Sequence, residues 1–99
     1  MPAYMLVDID VHDPARYEEY RASAPAAIHA YGGRYLVRGG AAELLEGERA
    51  PHRVVVLEFP SLEQARAFWD SPEYAAFKGI RHESASSNVV LVEGLETPL

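Results

Sequence analysis

Residues 31–40 determine more of the expected fold than any other segment, because two glycine pairs bracket five residues with an arginine at each end. Glycine takes positive φ without a Cβ clash, so each pair marks a sharp change of chain direction. The first pair, Gly32 and Gly33, is typical of the end of a helix. The segment therefore predicts a helix that ends near Tyr31 and a strand over residues 34–38.

Three further strands are predicted from apolar side chains in extended patterns. In the first strand apolar and polar residues alternate, and a repeat of two residues is typical of a strand with one buried face. Met5 and Ile9 fall on one side of this strand, and Asp8 falls on the other. The other two strands are rich in valine. The predicted strands span residues 3–12, 53–59 and 88–93.

Helix starts are marked by a side-chain acceptor that stands before a proline, or three residues before a glutamine. Such an acceptor caps free backbone N–H groups, and a proline at the first helical position loses no hydrogen bond. Pro25 falls inside the first helix and is expected to kink or divide it. The start signals are Asp13 with Pro14, Ser61 with Gln64, and Ser71 with Pro72.

The predicted order is strand, helix, strand, strand, helix, strand, with a break in the second helix. This order is typical of an α+β, ferredoxin-like βαββαβ fold with a four-stranded antiparallel sheet. A chain of 99 residues fits one domain, which we expect to span residues 1–99. The structure of residues 39–52 stays open, because residues 43–46 either extend the second strand after a glycine bulge or belong to a loop.

Helices cover only one side of such a sheet, and apolar residues would line the other side. A large exposed apolar patch is rare in a monomer, and a chain this short has a thin core of its own. We therefore expect a homodimer in which two sheets pack face to face. The apolar residues expected on this open face are Leu6, Leu36, Val54, Val56, Val89 and Leu91.

Charge and composition exclude several classes of function. Nine basic and fifteen acidic residues give a net charge of −6, which argues against a nucleic-acid partner or an anionic membrane surface. The sequence has no cysteine, so disulfides, thiolate nucleophiles and cysteine-based metal sites are excluded. No apolar run approaches the length that spans a bilayer, and no basic segment of the kind that opens a secretory signal precedes Asp8. The expected location is the cytoplasm.

Four segments resemble a known family. They read Asp-Pro-Ala-Arg-Tyr-Glu-Glu-Tyr, Tyr-Gly-Gly-Arg-Tyr-Leu-Val-Arg-Gly-Gly, Val-Leu-Glu-Phe-Pro-Ser and Trp-Asp-Ser-Pro-Glu-Tyr, at residues 13–20, 31–40, 56–61 and 69–74. Together they are similar to domain of unknown function 1330, a family of the dimeric α+β barrel superfamily. The resemblance covers nearly the whole chain. It implies a ferredoxin-like protomer whose sheet pairs with a second copy to enclose a barrel, and it implies no catalytic residue.

More distant members of that superfamily are cofactor-free antibiotic-biosynthesis monooxygenases, haem-degrading monooxygenases and muconolactone isomerases. The haem-degrading group uses an Asn on the first strand, a Trp before the last helix and a His within that helix. This chain is similar to that pattern only at Trp69, because Asp8 and Lys78 stand near the other two positions. We therefore expect no cofactor.

Three charged residues are candidates for catalysis. By strand alternation, Asp8, Arg38 and Glu58 share the open face of the sheet. In one interpretation Arg38 anchors an anionic or enolic ligand, and a carboxylate moves a proton as an acid or a base. In the other, the three residues form an ion-pair cluster at the dimer seam that fixes its register. Both interpretations require the three side chains to lie on one face.

Aromatic residues beside the helix break are candidates for a ligand pocket. Trp69 and Tyr74 flank the break, and Tyr35, Arg34 and His82 complete the candidate set. Small-molecule sites are largely apolar with few polar groups. The alternative is that the aromatic residues belong to the core and keep their polar tips at its edge. The four histidines of the chain lack the i, i+4 spacing of a helical metal site, so we expect no metal.

The predicted function is the binding or transformation of a small aromatic or enolic molecule without a cofactor, in the manner of a monooxygenase or an isomerase. The expected partners are a second copy of the chain and the small molecule. The alternative is a non-enzymatic dimer that binds a ligand or acts as a stress-associated accessory protein. The sequence contains neither a nucleophile elbow nor a phosphate-binding loop, so serine hydrolase and nucleotide chemistry are not supported.

Overall fold

The computed structural model describes residues 1–97 and residue 99. The elements are β1 (Ala3–Val11), α1 (Pro14–Ala30), β2 (Arg34–Arg38), β3 (Arg53–Phe59), α2 (Leu62–Trp69), α3 (Pro72–Ser84) and β4 (Ala85–Glu93). The strands form a four-stranded sheet in the order β2-β3-β1-β4, and every neighbouring pair is antiparallel. This is the predicted ferredoxin-like arrangement, with its second helix divided into α2 and α3. Within the described residues, no helix is both long and apolar enough to cross a membrane.

The predicted helix starts are confirmed. The side-chain oxygens of Asp13, Ser61 and Ser71 each accept a hydrogen bond from the backbone N–H three residues on, at 3.2, 3.2 and 3.0 Å. Each bond satisfies an N–H group that has no partner inside the helix. Local signals in the sequence therefore set where all three helices begin.

Pro25 does not divide α1, which runs unbroken through it. Because proline has no N–H, the carbonyl of Arg21 one turn earlier lacks its helical hydrogen bond. The Nη2 atom of Arg38 donates to this carbonyl oxygen at 2.8 Å. A side chain of β2 therefore replaces the bond that Pro25 removes, and it ties the sheet to the middle of α1.

The core lies between the helices and the sheet. The ring centroids of Phe68 and Tyr74 are 4.6 Å apart, and those of Phe68 and Phe59 are 5.4 Å apart. All three residues are at most 2% exposed. Gly33 lies against this group, where a Cβ atom would come within 2.6 Å of the Phe59 ring. Glycine at this position therefore allows the chain that follows α1 to approach the core closely.

The two sides of β4 are the reverse of those predicted. Leu6 of β1 pairs with Val90, so Val90 and Val92 lie on the open face. Val89 and Leu91 were predicted there, and this prediction is wrong because both face the helices and are half-buried. The four residues in this run are all apolar, so no alternation shows which side is buried. A shift of one residue exchanges the two faces of a strand. β4 also begins earlier than predicted.

A β-bulge in β2 changes the position of Arg38. The register of β2 against β3 shifts between Tyr35 and Val37, so Leu36 is an extra residue. Beyond the bulge Arg38 pairs with Val55, a buried residue on the helix side. The prediction that Arg38 shares the open face with Asp8 and Glu58 is therefore wrong. A bulge exchanges the sides of the residues that follow it.

The open face carries an apolar band across the middle of the sheet. Val54 and Val56 in this band are half-buried by their neighbours. Five large apolar side chains of the band are between 39% and 46% exposed: Leu6, Leu36, Val37, Val90 and Val92. The expectation of an apolar open face is confirmed for Leu6, Leu36, Val54 and Val56.

Residues 39–52 form a loop without helix or strand, which resolves the choice that the sequence leaves open. The end of the loop is attached to the sheet, because the backbone N–H of His52 donates to Oδ1 of Asp8 at 2.9 Å. Arg49 and Pro51 lie beside Leu6 at the same end of the open face. The loop therefore borders the open face without covering the apolar band.

Candidate functional site

A cavity of about 40 Å³ lies between α1 and the sheet, and we call it the α1 cavity. Its walls are aliphatic side chains of β1, β3 and α1. Its polar lining consists of three tyrosines and three arginines: Tyr17, Tyr20, Tyr35, Arg21, Arg38 and Arg53. None of the described residues that line it is an aspartate or a glutamate. The α1 cavity is therefore a positively charged site in a chain of net charge −6.

Among the arginines of this cavity, Arg53 has the least satisfied hydrogen-bond donors. Its Nε atom is buried and has no hydrogen-bond partner among the described residues. Its guanidinium lies 5.9 Å from the Tyr17 ring centroid and packs against Gly39, whose φ of +72° favours glycine. A buried donor without an acceptor costs about 1–3 kcal/mol. An anion in the α1 cavity would supply the missing acceptor.

The other polar groups of the cavity are also donors. The Arg38 guanidinium lies 4.6 Å from the Tyr35 ring centroid. Burial raises the pKa of Tyr35, and burial together with the neighbouring Tyr74 raises the pKa of Tyr20. Both phenols therefore keep their protons at neutral pH and can donate to an oxyanion. The cavity can stabilise negative charge on a ligand oxygen.

A chain of hydrogen bonds leads from this cavity across the core. The hydroxyls of Tyr20 and Tyr74 are 3.1 Å apart, and Nε of Arg81 donates to the Tyr74 hydroxyl at 3.2 Å. Nη2 of Arg81 lies 3.4 Å from Nε2 of His82. The chain ends at a second depression of about 390 Å³ between α3 and β4, which we call the α3–β4 groove.

The predicted pocket residues divide among four places. Trp69 and His82 line the α3–β4 groove together. Tyr74 is buried behind them, with its ring centroid 5.4 Å from that of Trp69. Tyr35 lies in the α1 cavity, and Arg34 lies at the open face. The structure therefore brings together two of the five residues and puts the others elsewhere.

The predicted catalytic trio is not assembled. On the open face Glu58 is paired with Arg34 at 2.7 Å. Asp8 lies 3.5 Å from Nδ1 of His52. Arg38 lies on the helix side, so it reaches neither carboxylate. The two carboxylates occupy opposite ends of the apolar band, and each has a basic neighbour.

Sequence reasoning did not select Arg53 or Arg81 as site residues. Arg53 pairs with Ile9, so it occupies a helix-side position in a strand whose other helix-side residues are apolar. Arg81 lies on the apolar stripe of α3 with Tyr74 and is 4% exposed. A charged residue on a stripe that is otherwise apolar is the signal that would have found both.

Within residues 1–97 and 99, no three His, Cys, Asp or Glu side chains are grouped so as to hold a metal ion. The basic residues and tyrosines that line the two cavities are not the oxygen, thiolate and imidazole sets typical of metal sites. The lining of the helix side therefore offers cationic and phenolic donors, which suit an anionic ligand.

Several solved structures share this fold at low sequence identity. A protein of unknown function from Rhodopseudomonas palustris is 20% identical, with a TM-score of 0.76 over 97% of this chain and 84% of that chain. The cofactor-independent oxygenase SnoaB from Streptomyces nogalater is 17% identical, with a TM-score of 0.62 over 97% and 95%. A dimeric protein of unknown function and ferredoxin-like fold from Bacteroides fragilis is 17% identical, with a TM-score of 0.57 over 94% and 96%. These similarities concern the fold alone.

Comparison with curated proteins gives no match. A family model does match, and its description is domain of unknown function DUF1330. The match spans residues 2–95, which include every strand and helix of the structure. The resemblance stated from four sequence segments is thereby confirmed, and the chain belongs to the DUF1330 family.

Proposed function

We propose that this protein is a homodimer that binds a small aromatic or enolic molecule, in its anionic form and without a cofactor, in the α1 cavity of each subunit. The observation that carries the proposal is the buried Nε of Arg53, which has no acceptor among the described residues. The single-domain extent over residues 1–99 and the cytoplasmic location stay predictions.

The chemistry of the lining selects the ligand class. Arg53 and Arg38 supply positive charge, and the Tyr20 and Tyr35 hydroxyls supply neutral donors beside aliphatic walls. A phenolate or an enolate has one charged oxygen on a largely apolar, planar body, which matches this distribution. Donors arranged around a developing oxyanion are a common source of catalytic stabilisation.

The α1 cavity must open to admit such a ligand. Small-molecule sites usually enclose about 300–1,000 Å³, whereas this cavity has about 40 Å³. Arg38 is exposed and is attached to α1 by its bond to the Arg21 carbonyl. Release of that bond moves the Arg38 side chain out of the mouth of the cavity. In the bound state the guanidinium pairs with the ligand oxygen instead.

Two functions remain compatible with this site. A cofactor-independent oxygenase has the same fold, which supports transformation of the bound anion. The lining favours binding without turnover, because none of the described residues at the cavity is a carboxylate or a histidine that could move a proton. Oxygen consumption in the presence of the ligand separates an oxygenase from a non-enzymatic ligand-binding or stress-associated accessory dimer.

The dimer forms, in this proposal, through the open face. The apolar band of the open face exposes Leu6 and Val90 at its centre, and such a band is rarely left in water. A structural neighbour from Bacteroides fragilis is described as dimeric, which supports the same assembly here. Asp8 and Glu58 then lie at the seam, where Arg34 compensates the charge of Glu58 and the backbone N–H of His52 donates to Asp8.

The test uses 4-nitrophenol, whose phenolate and phenol differ in visible absorption. We expect the wild-type protein to bind the phenolate and to lower the apparent pKa of the bound phenol, because the site cations favour the anion. Arg53→Met should weaken binding about tenfold or more, since it removes a charged donor. Arg66→Met removes an exposed arginine from α2 and should leave binding unchanged.

Two results would contradict the proposed site. The first is binding of neutral nitrobenzene as tight as that of the phenolate, which would mean that the arginines do not select charge. The second is equal affinity in wild type and Arg53→Met. Arg38→Ala gives an additional check, because the ligand should bind more weakly while light scattering still gives the dimer mass.

A further inference from the structure

We propose that the α3–β4 groove is a second ligand site, which binds a planar aromatic carboxylate with its carboxylate at the Arg81 guanidinium and its ring against the exposed part of the Trp69 wall. This site shares no lining residue with the α1 cavity. The inference is therefore independent of the function proposed above.

Arg81 is a buried cation without an anionic partner. It is 4% exposed, and no described carboxylate lies within ion-pair distance of it. Its hydrogen-bond partners are the Tyr74 hydroxyl and the His82 ring, neither of which is a carboxylate. The Tyr20 and Trp69 ring centroids lie 5.9 and 5.8 Å from its guanidinium and bring no negative charge. Charged groups that are buried in proteins are normally paired, because an isolated buried ion is costly. An anion in the groove would complete the pair.

Ser87 gives a second, independent indication of a missing ligand atom. Its Oγ is buried and has no hydrogen-bond partner among the described residues. Ser87 and Arg81 line the same groove, one from β4 and the other from α3. Buried polar side-chain atoms without partners are uncommon in folded proteins. One unsatisfied hydroxyl and one buried cation without a carboxylate partner therefore converge on this groove from opposite walls.

The rest of the groove is suited to a flat apolar body. Trp69, Ala85 and Val89 form its apolar lining, and its volume is about 390 Å³, inside the usual range of about 300–1,000 Å³ for small-molecule sites. Lys78 does not line the groove, but its Nζ lies 4.3 Å from the Trp69 ring centroid. This ammonium adds positive potential to the wall on which a ligand ring would stack.

The number of donors favours a carboxylate over a phosphate. A guanidinium binds the two oxygens of a carboxylate side by side, and the Ser87 hydroxyl can supply one further donor. A phosphate dianion has a third oxygen and a larger charge, and the apolar side of the groove has no hydrogen-bond donor for that oxygen. An aromatic ring on that carboxylate would use the Trp69 wall. Benzoate is the simplest molecule with both features.

The experiment uses the fluorescence of Trp69, the single tryptophan of the chain. Benzoate is titrated into the protein, and we expect saturable quenching of this emission. Arg81→Met should weaken binding by about 10–100-fold, because a charge-assisted hydrogen bond is lost. Ser87→Ala should weaken binding several-fold and is small enough to leave the fold intact. Arg66→Met, which removes an exposed cation near Trp69, should have no effect.

Four outcomes would overturn the inference. They are no saturable quenching by benzoate, equal binding of neutral benzyl alcohol, equal binding of inorganic phosphate, and unchanged benzoate affinity in Ser87→Ala. The Ser87→Ala result decides the matter even where Arg81→Met fails to fold. Arg53→Met should bind benzoate as wild type does, so failure of the α1 cavity and failure of this groove are distinguishable.

Discussion

Charged residues are arranged in opposite ways on the two sides of the sheet. On the open face, Glu58 has Arg34 beside it and Asp8 has His52. On the helix side, Arg53 and Arg81 have no partner among the described carboxylates. The chain has fifteen acidic and nine basic residues, so the unpaired arginines do not result from a shortage of acids. Each of these open-face carboxylates has a nitrogen donor beside it, whereas the two helix-side arginines have no carboxylate.

This difference indicates different uses of the two sides. Exposed ion pairs contribute about 0–1 kcal/mol, so the Arg34–Glu58 pair on the open face adds little to stability, and the pair itself carries no net charge. An unsatisfied buried donor costs about 1–3 kcal/mol, so the helix side gives up stability that a bound anion can restore. We infer that the open face serves assembly and the helix side serves ligands.

The largest effect is expected from a charge at the centre of the open face. Leu6→Glu places a carboxylate in the apolar band, and burial of such a charge between two sheets costs several kcal/mol. We expect the dimer dissociation constant to rise by about 100-fold or more. Light scattering at micromolar protein should then give the mass of one chain, with the circular dichroism of the folded protein retained.

Leu45→Glu is the matched control, because it makes the same change at an 88% exposed position of the loop over residues 39–52. It should leave the dimer intact. A wild-type protein that is already monomeric and stable at micromolar concentration would contradict the assembly role of the open face. So would a Leu6→Glu dimer as tight as the wild-type dimer.

A pH-dependent effect is expected from Tyr20 on the helix side. Burial raises the pKa of Tyr20, whereas in the unfolded chain the phenol titrates near pH 10, about its ordinary value. Above that pH the unfolded chain loses the Tyr20 proton and the folded chain keeps it, so stability falls as pH rises. Below about pH 10 this contribution is fully present. Urea unfolding should show a loss of up to ~1.4 kcal/mol per pH unit from Tyr20 above pH 10.

Tyr20→Phe separates this contribution from the general effect of alkali. The variant loses the 3.1 Å hydrogen bond to Tyr74 and so is less stable at neutral pH, by about 1 kcal/mol. It has no phenol to ionise at this position, so its stability should fall less steeply above pH 10. The two stability curves should converge there, and parallel curves would show that Tyr20 is not shielded from water.

The fold could be predicted because its signals are local. Asp13, Ser61 and Ser71 each bond to an N–H three residues on, so a short segment contains both the cap and its partner. The alternation in β1 likewise needs no other part of the chain. Trp69 and His82, both chosen as pocket residues, do line one groove, since each lies beside the junction of α2, α3 and β4.

The candidate site could not be predicted in the same way, because it depends on register and on distant neighbours. One extra residue at Leu36 moves Arg38 from the open face to the helix side. The run that contains Val89 and Val90 has no alternation from which its sides could be read. Arg53 and Arg81 lack anionic partners because of all the residues packed around them. These residues come from distant parts of the chain, so no spacing in the sequence predicts the lack of a partner.

The smallest expected changes in the free energy of unfolding give the sharpest comparison, because the same substitution, arginine to methionine, can be made on each side of the sheet. Arg53→Met removes a buried unsatisfied donor and keeps an unbranched apolar chain, so it should raise the free energy of unfolding of the ligand-free protein by about 1 kcal/mol. Arg34→Met removes the ion-pair partner of Glu58. The Glu58 side chain is 22% exposed and the Arg34 side chain is 66% exposed. Stability should therefore fall by only about 0.5 kcal/mol.

The prediction is that Arg53→Met and Arg34→Met change the free energy of unfolding in opposite directions. Urea unfolding at one pH and one protein concentration measures both changes. Two losses of equal size would mean that Arg53 is held by stabilising contacts like those of Arg34, and the distinction between the two sides would fail. Saturating 4-nitrophenolate should reverse the Arg53 result, because the bound anion stabilises the wild type more than the variant. Arg53 would then lower the free energy of unfolding of the ligand-free protein and raise that of the ligand-bound protein, as expected of a residue whose role is to bind the ligand. The stability change caused by Arg34→Met should be the same with and without the ligand.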